Sequence, residues 1–207
     1  LLNRVSVFIA RFVLRRAARI RVVSERIKKE IERTYHARSL VTILPIFVDT
    51  ERFKMARSYL AIEERFSQFK AKVLVVSRLE PEKNIALAIR AFQEASPLGS
   101  CLIIVGDGSE RKPLERCVQK FNIADRVFFE GEAEAASYYT ISDLVLVPSL
   151  YEGYGLVIIE ALAAGKPVLS TDVGVAREAG AIVATQETFA YALAQWFKNG
   201  PREGHLK

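Results

Sequence analysis

Cysteine and methionine are scarce in this chain, and no apolar run is long enough to cross a bilayer. Two cysteines among 207 residues make no disulfide framework. Cys101 falls in a predicted strand and Cys117 in a predicted helix, so both are expected to be reduced, buried thiols of a cytosolic protein. The most apolar N-terminal stretch, VSVFIARFVL, is broken by Arg11 and followed by Arg15 and Arg16. A membrane span needs about 20 apolar residues in a row, and a signal peptide ends in a small-residue cleavage site; this stretch offers neither. The single methionine is Met55 and the chain opens Leu-Leu, so it is expected to be a piece of a longer protein. Internal repeats and low-complexity segments are also missing.

What is present is a globular composition, half hydrophobic and 26% charged, with a formal net charge of +6. The charge is segregated. Residues 1–40 hold eleven Lys and Arg against three acids, a net +8, and the rest holds nineteen against twenty-one, a net −2. A basic amphipathic stretch of this kind either contacts an anionic membrane surface peripherally or is a solvated helix face. No aromatic-basic platform accompanies it, which argues against nucleic acid as a partner.

Residues 5–18 read as a helix, 20–23 as a short strand, and 25–35 as a helix with Ser24 as its N-cap. Residues 41–45 read as a strand stopped by Pro45, 47–53 (FVDTERF) as a turn-rich connector, and 57–68 as a helix. From Lys72 the pattern is regular. Apolar strands at 72–77, 101–106, 126–131, 144–148, 167–171 and 181–184 alternate with helices at 84–95, 109–121, 133–142, 155–165, 175–180 and 187–199. Strands apolar on both faces, each followed by a helix, describe an α/β fold: a Rossmann-like, doubly wound parallel sheet. The boundary is expected between 1–47 and 48–207.

Such sheets bind ligands beyond the carboxyl ends of their strands. After the first regular strand, SRLEPEKN places Arg78 at the strand end and Lys83 at the start of a helix. They either hold a pyrophosphate or pair with Glu80 and Glu82 at the surface. After the second, GDGSER resembles a dinucleotide fingerprint without its third glycine. It reads by default as a structural turn, with Ser109 able to cap the following helix. After the third, Gly131 permits a sharp turn, and Glu132 with the Ala133 amide is placed to line a base pocket. After the fourth comes YEGYGLVIIEALAAG. Gly153, Tyr154 and Gly155 precede a helix, so their amides form a candidate anion nest. Glu160 lies inside a helix whose neighbours predict burial, where a carboxylate is rarely found without a partner. It is either a ribose clamp or a residue on the helix's one wet face.

The stretch SDLVLVPSLYEGYGLVIIEALAAGKPVLSTDVG, with VVSRLEPEKN, IIVGDGSERKPLE and VFFEGEA, resembles the family 4 (group 1) retaining glycosyltransferases. Those enzymes have two facing Rossmann-like domains, the glycosyltransferase-B fold. Their Glu-x7-Glu signature is matched by Glu152 and Glu160. The resemblance runs from about residue 19 to 198. It implies that residues 48–207 are the C-terminal donor domain and 1–47 a remnant of the N-terminal acceptor domain plus linker. It implies that Arg78 and Lys83 hold the donor diphosphate, Glu160 the ribose hydroxyls, and Glu152 the donor sugar. The amides of Tyr154, Gly155 and Leu156 would meet sugar and phosphates, and Glu132 and Ala133 the base. The acceptor site, the glycine-rich loop and the family's active-site histidine would lie in the missing part, and neither His36 nor His205 stands at a matching position. No Asp-x-Asp pair is present, so no metal or other cofactor is called for.

The implied activity is transfer of a sugar from a UDP-, GDP- or ADP-sugar to the hydroxyl of a glycan or lipid-linked acceptor, with retention. Polysaccharide or glycolipid synthesis is the implied setting, either free in the cytoplasm or at the membrane's cytoplasmic face. The piece alone is expected to be inactive. Two other readings remain open: a non-catalytic nucleotide-sugar binding module, and a glycoside hydrolase using Glu152 and Glu160 as its carboxylate pair.

Overall fold

A computed structural model describes residues 2–35 and 40–207. Contacts divide the chain into two compact units, Leu1–Phe47 and Val48–Lys207. In the smaller unit, helix α1 (Leu2–Arg16), strand β1 (Arg19–Val22), helix α2 (Glu25–Tyr35) and strand β2 (Leu40–Ile43) follow in order. The two strands pair in parallel. Ile20, Val22 and Val41 form a small core against Leu14, Ile27 and Ile31. Ser24 caps α2 as expected, its Oγ accepting the Ile27 N–H at 3.3 Å.

The larger unit opens with two short helices, α3 (Thr50–Lys54) and α4 (Leu60–Phe66). Strand β3 (Ala71–Val76), a 3₁₀ turn (Pro81–Lys83), helix α5 (Ile85–Ala95), strand β4 (Ser100–Val105), helix α6 (Arg111–Lys120) and strand β5 (Val127–Gly131) follow. Then come α7 (Ala135–Ile141), β6 (Leu144–Val147), α8 (Leu156–Ala163), β7 (Val168–Ser170), α9 (Ala176–Ala179), β8 (Ile182–Val183) and α10 (Phe189–Asn199).

The six strands are parallel, in the order β5-β4-β3-β6-β7-β8. The strand period of two sends alternate side chains into two separate cores. Val73 and Val75 of β3, with Leu102 and Ile104 of β4, pack on the face covered by α5, α6 and α10. Leu74, Ile103 and Val145 pack on the face covered by α4, α7, α8 and α9. Both faces are therefore covered, which is why these strands read as continuous apolar runs rather than as alternating ones. The doubly wound α/β sheet expected from the sequence is present.

Three local expectations are corrected. The connector 47–53 contains helix α3, because Asp49 Oδ1 accepts the Arg52 N–H at 3.3 Å and so caps a helix of five residues. Ser109 does not cap α6: the N-cap is Glu110, and the Ser109 hydroxyl instead donates to Glu80 at 2.7 Å. Of the two free thiols, Cys101 is buried in β4 and its pKa is pushed up to about 12 by burial, but Cys117 is only half-buried.

Candidate functional site at the carboxyl edge of the sheet

Numbered within the larger unit, the strand order is 3-2-1-4-5-6, the Rossmann order. It reverses between β3 and β6, and a ligand crevice belongs outside the carboxyl ends of those two strands. The loop after β3 carries Arg78 and Lys83, and the loop after β6 carries Glu152, Gly153, Tyr154 and Gly155. The two loops are tied together. The Leu150 N–H donates to the Glu82 carbonyl at 2.8 Å, and Asn84 Nδ2 donates to the Pro148 carbonyl at 3.3 Å.

At this junction Lys83 Nζ lies 2.7 Å from Glu152 Oε1, with the two side chains only 17% and 16% exposed. The same oxygen accepts a 2.8 Å hydrogen bond from Ser149 Oγ. Ser149 is itself buried, and its carbonyl accepts from Thr171 Oγ1 at 2.5 Å. Glu152 is thus held from two sides. Arg78 is not drawn into this pair. It is exposed and makes a 3.4 Å ion pair with Glu82, the surface pairing that the sequence left open for it. The turn after β4 is tied to the loop after β3: the Leu79 N–H donates to the Asp107 carbonyl and the Glu110 N–H to the Leu79 carbonyl.

Helix α8 begins just past Glu152. Its N-cap, Gly155, has the left-handed φ of 92° and provides no side-chain cap. The first-turn amides of Leu156 and Val157 have no intrahelical acceptor, so the loop ends in free donors beside the helix's positive pole. The loop is braced from below. The Val175 N–H donates to the Tyr154 carbonyl at 2.9 Å. At Gly174 (φ 50°) a Cβ would stand 2.2 Å from that carbonyl oxygen and 3.3 Å from Glu152 Cβ, so only glycine lets the two loops close.

Glu160 lies on α8 and is half-buried. Its Oε2 accepts a 2.9 Å hydrogen bond from the Tyr139 hydroxyl. Burial pushes the carboxyl's pKa up, while the Tyr139 bond and the Arg52 charge pull the other way. The wholly buried Tyr139 is itself held far above its ordinary value by burial and by Glu160, so it stays a neutral donor. The Phe53 ring packs edge-on against Tyr139 at 5.8 Å.

Gly131, Glu132 and Ala133 lie at the carboxyl end of the outer strand β5. The Gly131 carbonyl accepts from the Gly106 N–H at 2.7 Å, and Glu132 and Ala133 are exposed. Among the described residues, no hydrogen bond or ion pair joins either of them to Glu152 or Glu160. His205 is exposed, 3.9 Å from Glu203, and His36 lies outside the described residues.

Sequence reasoning missed Ser149, Thr171, Tyr139 and Arg52. Ser149 and Thr171 carried a usable signal, since both are hydroxyl residues directly beyond apolar strands. Tyr139 carried none, because a tyrosine in a short helix reads as core. Arg52 was hidden by the misreading of α3, although Asp49 before Thr-Glu-Arg is an N-cap pattern.

The fold and these strand-end loops define a Rossmann-like α/β unit with cation, carboxylate and free amides gathered at its switch point. The chain belongs to the glycosyl transferases group 1 family, whose model matches residues 62–204. It is 31% identical over 176 residues to 2-deoxystreptamine glucosyltransferase from Streptomyces kanamyceticus, covering 80% of this chain and 46% of that protein. Among solved structures it is similar to sucrose-phosphate synthase from Thermosynechococcus elongatus, with a TM-score of 0.81, 23% identity, and coverage of 95% of this chain and 53% of that one. It is also similar to Anabaena HepE in complex with UDP and glucose, with a TM-score of 0.76, 22% identity, and coverage of 95% and 57%. The chain therefore spans about half the length of these proteins.

Proposed function

We propose that this chain supplies the donor site of an enzyme that transfers a sugar from a nucleotide-diphosphate sugar to an acceptor hydroxyl with retention of configuration. The observation that carries the reading is the part-buried Lys83–Glu152 pair, set at the switch point beside the free first-turn amides of α8. Breaking the anomeric C–O bond places negative charge on the leaving diphosphate and positive charge on the sugar ring. Lys83, Arg78 and the amides of residues 153–156 stabilise the leaving group, as charge-assisted donors at a helix N-terminus do. Glu152 orients the sugar's hydroxyls and is not the nucleophile; the acceptor attacks from the face of the departing diphosphate. Glu160 accepts from the ribose hydroxyls, with Tyr139 fixing its second oxygen. Gly131, Glu132 and Ala133 border the base.

In this reading residues 1–47 close an N-terminal acceptor domain, the chain alone turns over little, and no metal takes part. The acceptor is a glycan or a lipid-linked sugar. HepE's complex with UDP and glucose makes uridine donors the first to try. The test is a calorimetric screen of the chain against UDP, GDP, ADP and their sugars, with Glu160→Ala alongside. The expected result is binding of one nucleotide, lost in the variant. Binding undiminished by Glu160→Ala would overturn the ribose assignment, and no binding of any donor would overturn the donor site.

A further inference from the structure

The Lys83–Glu152 pair has a second consequence. Any diphosphate that reaches Lys83 must come up against the carboxylate already bonded to it at 2.7 Å. The two side chains are 17% and 16% exposed, so solvent screens little of the repulsion between two anions there. Nor is Glu152 free to swing out of the way. Ser149 Oγ holds Oε1 at 2.8 Å, and buried Thr171 pins Ser149 through its carbonyl at 2.5 Å. The loop beyond is locked by the Val175–Tyr154 bond and the close approach of Gly174.

A bare nucleoside diphosphate brings only acceptors to this place, so it takes a donor from Glu152 and returns none. A nucleotide sugar brings hydroxyls, which donate to the carboxylate oxygens that Lys83 gives up. We infer that Glu152, held by Ser149, makes the site discriminate the sugar-bearing donor from the nucleoside diphosphate left after transfer. The carboxylate opposes the diphosphate in both ligands, and only the sugar compensates it. Product inhibition is correspondingly weakened and product release hastened. This inference rests on the donor-site reading above.

The test is calorimetric titration of UDP and UDP-glucose, then GDP and GDP-mannose, into the chain and its Glu152→Gln and Ser149→Ala variants. Glu152→Gln keeps the shape and removes the charge. It is expected to bind the nucleoside diphosphate about five- to tenfold more tightly, with the nucleotide sugar unchanged or weaker, so that the preference collapses. Ser149→Ala leaves both charges in place but removes the 2.8 Å hold on the carboxylate, so it is expected to tighten nucleoside diphosphate binding, though by less than Glu152→Gln. If Glu152→Gln binds the nucleoside diphosphate no better than the parent, the inference is overturned while the donor site stands. If Ser149→Ala leaves nucleoside diphosphate binding unchanged while Glu152→Gln tightens it, Ser149 does not hold the carboxylate against the diphosphate and the inference also falls. If no nucleotide or nucleotide sugar binds the parent chain, the donor-site reading fails and this inference fails with it. Thermal unfolding of each variant checks that it is folded, and Glu152→Ala replaces Glu152→Gln if that variant is not.

Discussion

Glu160 is the residue whose sequence context said most. A glutamate in LVIIEALAAG is anomalous, and the structure gives it one partner, Tyr139, and a half-buried setting. Burial raises its pKa in the folded state above the unfolded value. Between the ordinary carboxylate range and that raised value, the folded chain binds more protons than the unfolded chain. The contribution of Glu160 to stability is thus greatest at acid pH and falls as pH rises through that window. Glu160→Gln has no such fall. In urea titrations from about pH 4 to about pH 7, the unfolding free energy should shift steadily in favour of the variant relative to the parent. Nucleotide binding should move the opposite way in the parent, strengthening as Glu160 ionises and becomes a full acceptor for ribose. A stability difference flat across that range would mean that Glu160 is solvated like any surface carboxylate. The sequence flagged Glu160 but not Tyr139, because the clue at 160 was a misfit and tyrosine in a helix is not one.

Elements were legible in proportion to how much tertiary burial their own pattern expressed. The strands of the larger unit were readable because both faces are covered, so each is a continuous apolar run between turn residues. Helix α3 was not, because five residues carry no period, and its side-chain cap is a single hydrogen bond that the Arg52 N–H donates to Asp49. The geometry of the loop after β6 was half legible. The Gly-Tyr-Gly turn pointed to an amide nest, but nothing local said that Gly174, some twenty residues on, is what lets it seat. Gly174→Ala should therefore act at a distance. Its Cβ would meet backbone, the Tyr154 carbonyl, in a left-handed conformation that alanine resists. The expected loss is about 2–3 kcal/mol in chemical denaturation. Because the same Cβ crowds Glu152, nucleotide-sugar affinity should fall at temperatures where the variant is still fully folded. Normal affinity in a destabilised Gly174→Ala would show that the loop is set by its own residues and not by its contact with the loop between β7 and α9.

At the scale of the whole chain, the uneven charge is the feature that the proposed donor site does not use. The net +8 of residues 1–40 stands against a net −2 elsewhere, so the basic charge belongs to the N-terminal segment. Helix α1 adds exposed Phe8, Ile9, Phe12 and Val13 to Arg11, Arg15 and Arg16, with Arg16 stacked over the Phe12 ring at 3.7 Å. Among the described residues no helix is long and apolar enough to cross a membrane. An amphipathic helix with a cationic side can lie in the headgroup layer of an anionic bilayer, drawn there by charge and held by its apolar ridge. We therefore expect the chain to co-sediment with phosphatidylglycerol vesicles at low ionic strength, to be released at about 0.5 M salt, and to ignore phosphatidylcholine vesicles. Phe8→Ser with Phe12→Ser should lower the bound fraction several-fold while leaving nucleotide affinity in the larger unit untouched. Binding to neither kind of vesicle would assign the apolar ridge of α1 to a protein core in a longer chain. The basic residues would then be the solvated face of an ordinary helix, and the acceptor would have to be sought among soluble glycans first.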